Sequence, residues 1–131
     1  MQEPADYKPP ESVLELLERY ASGERYFAEV DLPDGSDFSE ANLEGAYFEG
    51  SWFHSANFSK ANLKGVNFCD CNIKCADFIQ ANLEGAKFRG SAVESLDLEG
   101  ANLTGVSFAG SFAYGYEFKE GQTPDFRRPE I

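Results

Sequence analysis

From Phe38 to Phe108 the chain carries a large apolar residue at every fifth position, fifteen times in succession: Phe38, Leu43, Phe48, Phe53, Phe58, Leu63, Phe68, Ile73, Phe78, Leu83, Phe88, Val93, Leu98, Leu103 and Phe108. Two residues before most of them stands a small one, as at Ala41, Ala46, Ser51, Ala56, Ala61, Cys71, Ala76, Ala81, Ala86 and Ser91, with Val66 somewhat larger and Leu96 the exception. Neither the 3.6-residue period of a helix nor the two-residue period of a strand sustains this pattern, so helix bundles and ordinary sandwiches are disfavoured. A second period of twenty lies over the first: Ala41-Asn42-Leu43-Glu44-Gly45 returns as Ala61-Asn62-Leu63-Lys64-Gly65, Ala81-Asn82-Leu83-Glu84-Gly85 and Ala101-Asn102-Leu103-Thr104-Gly105. Five within twenty predicts a coil with four short sides, each sending one large and one small side chain inward. Successive coils then stack about 4.8 Å apart, the spacing of paired strands.

The expected columns follow. One side stacks Phe38, Phe58, Phe78, Leu98 and Phe118, and the opposite side Phe48, Phe68, Phe88 and Phe108. Leu43, Leu63, Leu83 and Leu103 form a third, and the irregular fourth runs Phe53, Ile73, Val93, Ala113. Burial at roughly 1.5–3 kcal/mol per large side chain drives the stacking, because no single coil can enclose its own core.

The motif Ala-(Asn/Asp)-(Leu/Phe)-X-Gly, as at residues 41–45 and 81–85, resembles that of the pentapeptide repeat proteins over about Ser36 to Gly121. The resemblance implies an all-β fold: a single-stack, right-handed quadrilateral parallel β-helix, here of about four to five coils of 20 residues with a short N-terminal capping α-helix. The expected organisation is an arm and capping helix over 1–26, the helix itself at about 12–22, the β-helix over 27–121 and a tail over 122–131. Ser12-Val13-Leu14-Glu15 reads as a capping box, Val13, Leu16, Leu17, Tyr20 and Ala21 as one apolar face, and Gly23 as a stop. The segment Leu17 to Phe27 is similar to the N-terminal caps of cyanobacterial members. From Leu32 to Phe38 the step widens to six, and Pro33-Asp34-Gly35 supplies a turn to absorb the extra residue. Tyr114, Tyr116, Phe118 and Phe126 are expected to cover the last coil.

Composition narrows function by exclusion. The 131 residues carry 23 acidic and 11 basic side chains, a net charge of −12. This disfavours direct nucleic-acid binding through a basic patch. No apolar run reaches the roughly 18 residues of a membrane span, and the start lacks a signal peptide's basic and apolar regions. Both point to a soluble, cytoplasmic protein. Cys69, Cys71 and Cys75 suggest a thiolate metal site, but the register turns Cys71 inward and Cys69 and Cys75 outward, so packing is the expected role. His54 has no Ser or Cys partner at a motif spacing. No catalytic residue, metal or cofactor is therefore expected. The Asn42, Asn62, Asn82, Asn102 column is read as hydrogen bonding to turn backbone.

The irregular side supplies the partner-binding candidates Trp52, His54, Phe112 and Tyr114, whose rings offer contact area at low entropy cost. They are either exposed for a partner or covered by the termini. The leading expectation is a non-enzymatic scaffold binding another protein, as a monomer or an end-to-end dimer. The alternative, a DNA mimic acting on DNA gyrase or another topoisomerase, comes from the resemblance, since some pentapeptide repeat proteins mimic DNA and act on DNA gyrase. Residues 1–40 hold a net charge of −8, residues 41–100 −3 and residues 101–131 −1, so the charge gathers on the cap and not along the rod. Four or so coils also make a rod of only about 20 Å.

Overall fold

The computed structural model describes residues 1–126. The chain opens with an extended arm and one helix, α1 (Val13–Ala21). At its start the Ser12 hydroxyl accepts the Glu15 N–H at 3.0 Å. The Glu15 carboxylate reaches back to the N–H of Glu11, one residue beyond the Ser12 N–H that a capping box would engage, and pairs with Arg19 one turn on at 3.2 Å. At its end, Gly23 takes a φ of 104°. The Gly23 and Glu24 N–H groups then close onto the Tyr20 and Arg19 carbonyls, a Schellman ending that needs a left-handed residue there. The apolar stripe of α1 faces the first coil, and Leu16 is completely buried on it.

From Tyr26 onward the chain winds through four sides, each contributing one residue per coil to a parallel rung. The rungs run Tyr26, Tyr47, Asn67, Lys87, Ser107; Asp31, Trp52, Asn72, Ala92, Phe112; Asp37, Asn57, Asp77, Asp97; and Asn42, Asn62, Asn82, Asn102. The step is 21 residues for the first rung of the first two sides and 20 thereafter, which localises the extra residue to the turn at Pro33–Ser36. Each strand is too short to extend beyond its rung because a corner follows at once. At Leu43–Ala46, for example, the Ala46 N–H bonds the Leu43 carbonyl at 3.0 Å and Gly45 takes a φ of 73°, the geometry of a turn whose third residue is left-handed.

Phe38, Phe58 and Phe78 stack nearly parallel, with centroids 5.1 and 5.3 Å apart, and meet the Phe53 and Phe68 rings edge-on. Leu43, Leu63 and Leu83 are fully buried beside them. The Ser51–Cys71–Ser91–Ser111 column is also buried and is a hydroxyl and thiol ladder. Ser51 and Ser91 each accept a backbone N–H, from Val30 at 2.9 Å and Cys71 at 3.0 Å, and donate to the carbonyls of Phe27 and Phe68. The Cys71 thiol donates to the Phe48 carbonyl. Ser51, Cys71 and Ser91 are thus paired with turn backbone from the coil beneath, and Ser111 with the Phe108 carbonyl of its own corner.

Two expectations are corrected. Cys69, placed outward by register, is buried: its side chain is short and lies close to Glu49 and Arg89 of the coils below and above. Phe118 does not continue the Leu98 column through a rung. After Phe112 the chain reverses into an antiparallel hairpin of β1 (Phe112–Ala113) and β2 (Tyr116–Glu117), and Phe118 exchanges hydrogen bonds with Gly110 and Ser111. Tyr114 and Gly115, with φ of 51° and 80°, make the two-residue turn with both centres left-handed that such a hairpin favours. Among the described residues no helix is long and apolar enough to cross a membrane.

Candidate functional site

Along the side built on Phe53, Ile73 and Val93, the inward residues are buried and their neighbours at either hand are at least partly exposed, except the small Ala92, which is buried. Trp52 and His54 therefore flank the buried Phe53 and turn their rings to the same surface, centroids 5.9 Å apart and 23° from parallel. Both are held by one carboxylate. The Trp52 indole N–H donates to Asp34 Oδ1 at 3.0 Å, and His54 Nδ1 lies 3.2 Å from Asp34 Oδ2. Asp34 reaches them because the widened turn of the first coil lifts it beneath that edge, where the Gly35 N–H also bonds the His54 carbonyl. Ser55 Oγ lies 3.1 Å from the same imidazole nitrogen. Trp52 remains 44% exposed.

Phe112 and Tyr114 sit at the other end of this side. Phe112 makes the last rung, on Ala92, and stays 42% exposed. Tyr114, in the turn between β1 and β2, is 72% exposed. Its N–H meets the Glu94 carboxylate at 3.2 Å, its hydroxyl lies 2.7 Å from Ser95 Oγ, and its ring contacts the edge of Phe126. The four sequence-derived candidates thus form two pairs, three rungs or about 14 Å apart. Asn72 and Ala92 lie between them, and the Lys74–Glu94 pair at 4.0 Å flanks the second pair.

Asp34 was missed in the sequence reading. The signal was present: the six-residue step places a short acidic side chain one coil below His54. The three cysteines do not converge. Cys69 and Cys71 are buried and Cys75 is exposed, and among the described residues no group of three or more His, Cys, Asp or Glu side chains could hold a metal. Burial pushes the Cys71 thiol up to about 12 and also raises Cys69, so both stay protonated at neutral pH. The asparagine column is turn chemistry: Asn62, Asn82 and Asn102 each accept the N–H two residues on at 3.1–3.2 Å, and Nδ2 of Asn62 and Asn102 bonds the asparagine below.

A four-sided parallel coil with aromatic pairs on one side defines a solenoid repeat protein. The family model described as "Pentapeptide repeat region" matches residues 41–118, and the chain belongs to the pentapeptide repeat family. Among solved structures, it is similar to alr5209, a pentapeptide repeat protein from Nostoc PCC 7120, with 30% identity over 89% of this chain and 93% of that one and a TM-score of 0.52. It is also similar to a trypsin-treated variant of QnrB1, a plasmid-mediated fluoroquinolone resistance protein, with 27% identity over 66% of this chain and 46% of that one and a TM-score of 0.57. HetL of Nostoc sp. strain PCC 7120, involved in heterocyst differentiation regulation, shares the fold at 24% identity and a TM-score of 0.55, over 78% of this chain and 47% of that one. The chain therefore spans about half the length of HetL and QnrB1. No curated protein matches it in sequence.

Proposed function

We propose that the protein is a non-enzymatic, cytoplasmic binding module that presents one side of a right-handed coil of about four to five turns, capped by α1, to another protein. The observation that carries this reading is the pair of aromatic stations on one side: Trp52, Phe112 and Tyr114 are exposed, Asp34 holds Trp52 and the half-buried His54, and Glu94 and Ser95 hold Tyr114. Rings already held in place lose little conformational freedom when a partner covers them. The test is capture from native lysate on the immobilised protein beside a Trp52→Ser/Phe112→Ser variant whose fold is checked by circular dichroism. The captured protein is then purified and titrated against both. A partner bound by the wild type and weakened at least tenfold by the variant supports the reading, whereas equal binding by both overturns the choice of side.

A second reading, action on DNA gyrase as a DNA mimic, is favoured by the likeness to QnrB1. Charge weighs against it, because the net −8 of residues 1–40 lies on the arm, α1 and the first coil, while residues 41–100 carry only −3. Inhibition of supercoiling at near-stoichiometric protein would put this reading first.

A further inference from the structure

The rod is closed at its two ends in different ways. At the N-terminal end α1 covers the first coil. At the other, the sides of the last coil that carry Asp97, Asn102 and Ser107 have no further rung above them among the described residues. Leu98 and Leu103 are only half-buried, although Phe38, Phe58, Phe78 and Leu43, Leu63, Leu83 in the same columns are buried to 1% exposure or less. The backbone is open at the same place. In the coil beneath, the Leu83 N–H bonds the Asn102 carbonyl at 2.9 Å and the Ala81 carbonyl accepts the Asn102 N–H at 2.9 Å. The corresponding N–H groups of Leu98 and Leu103, and the carbonyls of Leu96 and Ala101, have no partner among the described residues. Thr123, Pro124 and Phe126 stand across from this edge and leave a groove of about 580 Å³.

We propose that this edge, Leu96 to Leu103, is a docking site for an extended segment of another protein that continues the coil by strand addition. Such a segment places a large apolar residue over Leu98 or Leu103, satisfies the open backbone groups and puts basic side chains over Asp97 and Glu99. Opposite charges pair between coils elsewhere on the rod, where Lys64 lies 3.5 Å from Glu84 and Lys74 4.0 Å from Glu94 one coil above. Among the described residues lining the groove there is no lysine or arginine. The same charge argues against a second copy as occupant, since two such edges would oppose Asp97 and Glu99 to one another.

The site is distinct from the Trp52 side, so the two readings fail separately. The probe is a fluorescein-labelled decapeptide, Ala-Lys-Leu-Lys-Gly repeated twice, titrated with the full chain by anisotropy. The controls are the same peptide with glutamate for lysine and the peptide with aspartate for leucine. Binding of the basic peptide is expected, lost in both controls, weakened about tenfold or more by Asp97→Lys/Glu99→Lys and unchanged by Trp52→Ser. The first variant alters two exposed outward side chains, and circular dichroism verifies its fold. The proposal is overturned by the absence of binding at millimolar protein, by equal binding of the glutamate or aspartate peptide, or by no effect of the charge reversal. Light scattering that shows dimers abolished by the same reversal would assign the edge to a second copy and overturn it also.

Discussion

Ser91→Ala tests whether the hydroxyl ladder holds the coil open from within. At most corners the fourth residue's N–H bonds the first residue's carbonyl directly, as Ala76 does to Ile73 at 3.1 Å. At the corner from Phe68 to Cys71 the Ser91 hydroxyl is inserted instead, accepting from Cys71 at 3.0 Å and donating to Phe68. Removing it leaves one buried donor and one buried acceptor, at about 1–3 kcal/mol each, and partial closure of the corner recovers some of that. The expected loss is about 2–4 kcal/mol. With an unfolding entropy of about 2.1 cal/mol/K per residue, a chain of this length loses about 3–4 °C of Tm per kcal/mol, so about 7–14 °C. Ser111→Ala is the internal control. The Ser111 N–H already closes its own corner at 3.0 Å and its hydroxyl only adds a second bond to the same Phe108 carbonyl, so its loss is limited to about 1 kcal/mol. Urea unfolding followed by circular dichroism measures both. A Ser91→Ala loss below about 0.5 kcal/mol, or one no larger than that of Ser111→Ala, would refute the reasoning.

Phe58→Ala removes a ring stacked between Phe38 and Phe78 and is expected to cost about 3–5 kcal/mol, read as a lower urea midpoint. Gly65→Ala meets no atom within 4 Å and pays only for its φ of 68°, about 1–2 kcal/mol, whereas the Cβ of Gly90→Ala would fall 2.0 Å from Asp70 Oδ1, so the thermal shift should be larger at Gly90. The Cys71 thiol, near 9 when unfolded and about 12 when folded, holds its proton more tightly in the native state. Its contribution is complete below pH 9 and is lost as the pH rises towards 12, so Cys71→Ser should flatten the alkaline fall in stability; an unchanged fall would refute the assignment. Of the three thiols, Cys75 alone should react quickly with a thiol reagent at pH 8 in the native protein, and all three in denaturant.

The coil was legible because its signal is repeated. Each inward position is tested many times along the chain, so a substitution such as Leu96 for a small residue does not obscure the period. The single events were harder to see. Asp34 contributes to the aromatic side only because an inserted residue shifts one turn, and nothing in its own identity distinguishes it from the other acids of residues 1–40. The burial of Cys69 depends on how closely the neighbouring coils approach a short side chain, which register alone does not tell. The Ser91 bridge was equally hidden, since the sequence marks the position as small and inward but not as a group inserted between two backbone atoms. Left-handed residues were only half legible: Gly45, Gly65 and Gly85 announce their corners, but Glu40, Ser55, Lys60, Asp70, Cys75, Gln80 and Ser95 take the same sign of φ without a glycine.

Those non-glycine corners bear on how the stack is stabilised. A left-handed side-chain-bearing residue is disfavoured by about 1–2 kcal/mol, yet seven of them persist among Glu40 to Ser95. The backbone bonds formed at each corner offset that strain: the N–H of Lys60, Asp70 and Gln80 each reaches the carbonyl of the coil above at 2.8 Å. Such bonds exist only while the next coil is present, so the strain of one corner is relieved by its neighbour and not locally. Coils near an uncapped end should therefore loosen first. Ser95, the last of the seven, makes no such bond, and its corner adjoins the open Leu96–Leu103 edge. A segment that added a rung there would complete the bonds at that edge as well as bury Leu98, so binding and tightening of the last coil should occur together. Amide hydrogen exchange at Leu98 and Leu103 is the measurement. It should be fast in the free protein and slowed by the Ala-Lys-Leu-Lys-Gly probe, with Leu63 and Leu83 protected in both; equal rates with and without the probe would separate the edge from the binding.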